Sequence, residues 1–229
     1  MSKNPGNVLV TGGASGLGAA VAHAVADAGG TPVVLDIQPS ANGFAFAHVD
    51  LADPRATEEA VRKVAEEHGG IDAVVTAAGI DACGDYHEVE ADAWDRVVMV
   101  NLLGTVAVVR AALPYLEQVR GRVVTVASTL GLRALPAATA YCASKFGVVG
   151  FTRALATEVG DRIGVTMLIP GGMKTHFFDG RPESFKPAPD QNLNAPEDVA
   201  ASVLFALTRP KGVELRELLV TPSSEPSWP

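Results

Sequence analysis

Asn7-Val8-Leu9-Val10-Thr11-Gly12-Gly13-Ala14-Ser15-Gly16-Leu17-Gly18 is the stretch that decides the fold. An apolar run passes into glycines, and Gly16 to Ala28 then carries Leu17, Val21, Ala24, Val25 and Ala28 at helical spacing before a Gly29-Gly30 stop. The order is strand, loop, helix. Glycines allow a tight turn and let backbone N–H groups and a helix N-terminus approach a pyrophosphate. The spacing is G-x-x-x-G-x-G, not the commoner G-x-G-x-x-G, and a glycine loop by itself also serves plain turns. Its place between a strand and a helix favours a nucleotide, with Gly12, Ala14, Ser15, Gly16, Leu17 and Gly18 as candidate contacts.

The same alternation continues along the chain. Thr31 to Asp36, Phe44 to Val49, Ile71 to Thr76, Arg122 to Ala127, Gly164 to Ile169 and Leu215 to Thr221 are strand candidates. Pro54 to His68, Ala91 to Val100, Leu102 to Arg120, Ala140 to Val159 and Pro196 to Thr208 are helix candidates between them. Apolar strands without polar alternation must be covered on both faces, and strands alternating with helices need right-handed crossovers. The expected fold is α/β: a doubly wound, mostly parallel sheet of about seven strands with helices on both faces. Such sheets bind ligands beyond the carboxyl ends of their strands.

The 229 residues, 48% hydrophobic and 19% charged, suit one packed domain over 1–229, ending in a tail over 222–229. A net charge of −8 with scattered Lys and Arg disfavours nucleic acid. No apolar run in the sequence approaches the roughly 20 residues of a bilayer span, and Met1-Ser2-Lys3-Asn4-Pro5-Gly6 leads straight into a strand. No membrane partner and a cytoplasmic location are therefore expected. Cys83 and Cys142 form no metal-type or CxxC pattern, so no metal is expected and both are read as free thiols.

Asp36 ends the second strand, 18 residues past Gly18, where a carboxylate can accept hydrogen bonds from both adenosine ribose hydroxyls and repel a 2′-phosphate. No Lys or Arg occurs from Gly12 to Gly18 or at position 37, so NAD is expected over NADP. Tyr141 and Lys145 lie four apart on an expected helix and so share one face. An ammonium and a positive nicotinamide near a phenol would bring its pKa, ordinarily about 10, towards neutrality. Ser128 follows a strand, at the sheet's carboxyl edge, where its hydroxyl could hold a substrate oxygen beside Tyr141.

Thr11-Gly-x-x-x-Gly-x-Gly, Asp36, Asp50-Leu51, Asn101, Ser128, Tyr141-x-x-x-Lys145 and Pro170-Gly171 together resemble the short-chain dehydrogenases/reductases in order and spacing. The resemblance spans nearly the whole chain. It implies a hydride transfer between NAD(H) and an alcohol or ketone, with Tyr141 as general acid/base and Lys145 on the nicotinamide ribose, lowering the tyrosine pKa. It further implies that Ser128 positions the substrate oxygen and Asn101 holds a water linking Lys145 to solvent. Asp50 would bond the adenine amino group, with Leu51 packing nearby. Ala78 and Gly79 would leave room for the adenosine ribose. Pro170 and Gly171 would line the nicotinamide, with the Met173 backbone and the Thr175 hydroxyl on its carboxamide.

Two stretches depart from the family pattern. Thr76-Ala77-Ala78-Gly79 replaces Asn-Asn-Ala-Gly, which removes the amides that brace the sheet's centre, and the chain closes as Pro222-Ser-Ser-Glu-Pro-Ser-Trp-Pro229 without a glycine-rich end. His176 begins a Pro- and Gly-punctuated loop that would cover the substrate, and it is as easily an ordinary loop histidine. Cys83, Leu130 and Leu135 are possible pocket residues. Family resemblance implies a homodimer or homotetramer, and Trp228 is expected to contact a partner subunit. The substrate inside the alcohol and ketone class is open. A non-catalytic NAD-binding sensor is the alternative, which would need Asp36 and the glycines but no proton-transfer group.

Overall fold

A computed structural model describes residues 4–39 and 43–228; Met1 to Lys3 and the last tail residue, Pro229, lie outside them. Seven strands form one parallel sheet: β1 (Asn7–Thr11), β2 (Thr31–Asp36), β3 (Ala45–His48), β4 (Ala73–Thr76), β5 (Arg122–Val126), β6 (Gly164–Pro170) and β7 (Glu217–Val220), in the order β3-β2-β1-β4-β5-β6-β7. Helices α1 (Gly16–Asp27) and α6 (Pro196–Leu207) cover one face. The other face carries α2 (Pro54–Glu67), α4 (Thr105–Val119) and α5 (Thr139–Val159), with α3 (Ala91–Val98) leading into α4.

Strand alternation explains the two cores. Val8 and Val10 of β1 point to the α1 and α6 side with Val21, Val25, Val199 and Val203. Leu9 points to the opposite side with Val61, Val108 and Leu116. The order reverses between β1 and β4, so their carboxyl ends diverge into the crevice that such sheets use for ligands.

The segments expected as two helices, near 91–100 and 102–120, are one continuous helix. A π-helical turn, Met99–Gly104, joins α3 to α4 without a break in the helix. Asn101 lies on this turn, and its carbonyl accepts from the Thr105 hydroxyl at 2.9 Å. Gly104 lets the turn press on the strand-end loop at Leu51: a Cβ there would sit 2.8 Å from Leu51 Cβ. The joined helix, Ala91–Val119, has an 18-residue window of mean hydropathy 1.8 and is by length and composition able to cross a membrane. The sequence reading, which found no such stretch, is corrected on this point. Ala107, Val108, Val109, Ala112 and Leu116 of this helix are buried against the sheet.

Gly18 is where α1 meets its own loop, since a Cβ there would run into the Gly12 carbonyl. Gly18→Ala is expected to lower stability by about 1–3 kcal/mol, because rigid backbone must move. A thermal unfolding midpoint equal to that of the unmutated chain would show that the loop is looser than this packing requires.

Candidate active site

A cavity of about 720 Å³ runs along the carboxyl edge of the sheet. At one end it is lined by Gly12, Ser15, Gly16, Leu17, Gly18, Asp36, Asp50 and Leu51. Ala78 and Gly79 lie between, and Ser128, Tyr141, Lys145, Pro170, Gly171, Met173 and Thr175 line the other end. Two of the candidates are not on its wall. Ala14 turns its N–H to Asp36 Oδ2 at 3.0 Å, and Asn101 is wholly buried behind the cavity.

The glycine loop is shaped by contact with β4. Gly12 has φ +68°, and a Cβ on it would lie 2.7 Å from Ala78 Cα. Directly beside it, the Thr11 hydroxyl accepts from the Ala78 N–H at 3.1 Å. This bond braces the centre of the sheet where the asparagine side chains of the related pattern are missing. The neighbouring Thr76 hydroxyl is buried without a partner.

Tyr141 and Lys145 stand one turn apart on α5, with the ammonium 5.6 Å from the phenol ring centre. Lys145 is 4% exposed, and its Nζ donates to the Val126 carbonyl at the end of β5 at 2.8 Å. Burial with no carboxylate partner pulls its pKa down to about 8. Burial likewise pushes the Tyr141 phenol up to about 12, against a smaller downward pull from its hydrogen bond with Ser128. The expected lowering called for the ammonium and a positive nicotinamide together; in the protein by itself, loss of water dominates the phenol.

Ser128 caps a short 3-10 turn, Thr129–Gly131, accepting from the Leu130 N–H at 3.1 Å. Gly131 of that turn packs on α5, where a Cβ would lie 2.8 Å from the Lys145 carbonyl oxygen. Ser128 and Lys145 are thus fixed relative to each other through backbone.

Asn101 spends its amide on structure. Its Oδ1 accepts from Ile80 N at 2.8 Å, and its Nδ2 donates to Ile80 O at 2.9 Å and to Ser144 Oγ at 3.1 Å. It ties the β4 loop to α5 with both amide protons used, and one lone pair of Oδ1 is left over. Asp50 is also engaged. Its carboxylate takes Arg96 Nη2 at 3.0 and 3.2 Å and Ala52 N at 3.0 Å, and these contacts, the backbone bond first, hold it below the usual carboxylate range. An adenine amino group would share this carboxylate with Arg96.

Over the mouth, the loop after β6 folds into 3-10 turns His176–Phe178 and Glu183–Phe185. Phe177 packs on the Tyr141 ring with 5.5 Å between centres. His176 pairs with Asp179 at 2.8 Å and is exposed. Leu130 and Leu135 line the cavity; Cys83 is not among its lining residues. Asp81, Arg181 and Glu225 are among the lining residues that escaped the sequence reading. Arg181 reaches across to Asp81 at 2.6 Å and stacks on Phe177 and Phe178, fastening the loop over the cavity. Burial holds the Asp81 carboxyl above its ordinary range in spite of the guanidinium. Glu225, in the tail, accepts from the Gly172 N–H at 2.8 Å. No local motif marks these contacts, which join positions 100 and 53 residues apart. The tail docks on its own cavity through Glu225 and Ser227, while Trp228, the residue expected to contact a partner subunit, is 37% exposed.

The family model for short chain dehydrogenases matches residues 6–184. The chain belongs to that family. It is 32% identical over 214 residues to meso-2,3-butanediol dehydrogenase of Serratia marcescens, covering 86% of this chain and 85% of that relative. An uncharacterized oxidoreductase of Staphylococcus aureus (strain MRSA252) is 31% identical over 226 residues, or 93% and 96% of the two chains. A short chain dehydrogenase from Burkholderia cenocepacia, solved in complex with NADP, superposes with a TM-score of 0.82 at 30% identity over 95% of this chain and 97% of that one. The family assignment and the doubly wound fold read from the sequence both hold, and with them an oxidoreductase of this class.

The lowered Lys145 pKa has a consequence for stability. Between about pH 8 and 10 the unfolded chain still binds a proton that the folded one has released, so stability from this group rises with pH across that window. Lys145→Met should flatten the profile by on the order of 2 kcal/mol, read by denaturant unfolding at pH 8, 9 and 10. Parallel profiles for the two proteins would mean that the lysine stays hydrated.

Proposed function

We propose that the chain moves a hydride between NAD(H) and the carbinol or carbonyl carbon of a small alcohol or ketone. One observation carries this reading: a single cavity brings Asp36 and the glycine loop together with Ser128, Tyr141 and Lys145. The residues present fit a dinucleotide. Glycine-loop N–H groups suit a pyrophosphate, Asp36 suits a ribose diol, and the buried Lys145 suits a second ribose. Gly79 keeps the floor open beside that lysine, since a Cβ on it would lie 3.7 Å from Nζ and 3.6 Å from Asn101 Oδ1. The name of the Serratia relative supports a small alcohol as substrate.

The bound nicotinamide would supply a two-electron hydride acceptor or donor. Ser128 orients the substrate oxygen towards the Tyr141 hydroxyl, and Tyr141 takes or gives that oxygen's proton. With its pKa at about 12, the phenol holds its proton until positive charge stands beside it. Lys145 already stands one turn away, and an oxidised ring would add a second positive charge. Asn101 acts through position, holding the Ile80 backbone and Ser144, and so the wall next to Lys145. Phe177, kept in place by Arg181, shields the phenol from water.

The preference for NAD over NADP rests on Asp36. Both of its oxygens are held by backbone N–H groups, of Ala14 and Gln38, each at 3.0 Å, which aims a fixed negative charge at the cavity end. Asp36→Ala should raise the relative use of NADP; an unchanged preference would count against this role.

Tyr141→Phe should cut turnover by about 10²-fold or more while leaving dinucleotide binding in place. Absorbance at the NADH band across a panel of alcohols and ketones, with fluorescence titration of the cofactor, reads both effects. An unmutated chain that binds NAD yet turns over nothing in the panel would favour a non-catalytic sensor.

A further inference from the structure

The tail of this chain carries a buried carboxylate into the cavity. Glu225 is 8% exposed and Ser227 is 7% exposed. Glu225 Oε2 accepts from Gly172 N at 2.8 Å, on the loop that continues β6. Its Oε1 accepts from Ser227 N at 3.1 Å and from Ser227 Oγ at 2.6 Å. Ser227 Oγ lies 2.7 Å from Thr129 Oγ1, so with its own proton given to Glu225 it accepts from the threonine. Thr129 directly follows Ser128. The carboxylate thus bridges the two walls of the catalytic end, the Gly171–Gly172 loop and the Ser128 turn.

Every hydrogen bond to the Glu225 carboxylate comes from a neutral donor, and both of its oxygens act as acceptors. Gly171 is the residue that makes room for it, since a Cβ there would collide with Oε2. A negative charge in a site shielded from water acts strongly on whatever charge lies next to it.

We propose that Glu225 sets the charge balance of the nicotinamide site, favouring the oxidised, cationic ring over the neutral reduced ring. This rests on the cofactor reading above. In the reductive direction the carbonyl carbon gains two electrons and one hydrogen as hydride, its oxygen gains the proton of Tyr141, and the ring is left with one positive charge. An anion lining that end of the cavity would stabilise the charge of an oxidised ring bound there, and the on-enzyme equilibrium would tilt towards alcohol and oxidised cofactor. The equilibrium in solution is untouched. Glu225 is a positioning and charge-setting residue in this scheme and transfers no proton.

The test is the ratio of dissociation constants for the oxidised and reduced forms of whichever dinucleotide binds, NAD or NADP, measured by titration without substrate. A merely structural loss would weaken both forms alike and leave the ratio where it was. Glu225→Gln should shift the ratio against the oxidised form by on the order of tenfold. Glu225→Met, a second uncharged side chain of similar length, is read the same way should the amide variant not fold. Ser227→Ala, which cuts the link to Thr129 and keeps the charge, should leave the ratio within about twofold. An unaltered ratio in the uncharged variants overturns this inference alone. If the unmutated chain bound neither form of either dinucleotide, the cofactor reading would fall and this inference with it.

Discussion

The contact between Gly12 and Ala78 at the reversal of strand order is the constraint on which the site depends. β1 and β4 are neighbours whose chains leave in different directions, and the cavity exists because both loops turn away there. The loops can meet only if residue 12 has no side chain and a positive φ. The Thr11 hydroxyl then closes the contact on the Ala78 amide. From that point α1 begins with its N-terminus facing the crevice, and the β4 loop runs on to Gly79, Ile80 and Asn101 at the catalytic end.

Electrostatics around Tyr141 and Lys145 are set by exclusion of water more than by pairing. Lys145 has a backbone carbonyl for a partner instead of a carboxylate, and Tyr141 sits beneath Phe177. Both groups are pushed towards their neutral forms. Such a pair is poised to respond to an incoming charge, because in a dry pocket each added charge has a large effect on its neighbours.

Two long-range fastenings finish the enclosure. The Asp81–Arg181 pair pins the loop after β6 over the mouth, and the tail closes the far side through Glu225 and Ser227. Each joins a residue on the sheet edge to a segment whose local sequence is ordinary loop. Asp81 Oδ1 and Arg181 Nε are buried without partners, which makes this pair costlier to hold than the Glu225 contacts, where every oxygen is used.

The sequence by itself determined the seven strands, the parallel doubly wound sheet and the family, because apolar runs, glycine stops and helical spacing are local signals that survive without a partner. It also located the glycine loop, Asp36, Ser128 and the Tyr141–Lys145 pair, since strand ends and one helical turn fix where those side chains go. Only the tertiary structure decided that Ala91–Val119 is one helix with a π turn, because hydrophobic phase alone cannot tell a break from an inserted residue. It alone showed that Asn101 and Asp50 are already engaged with Ile80, Ser144 and Arg96, and that burial dominates the Tyr141 phenol. The placement of Glu225 was hidden for the same physical reason: a carboxylate in a proline-rich tail reads as solvated until the fold carries it 53 residues back along the chain, to Gly172.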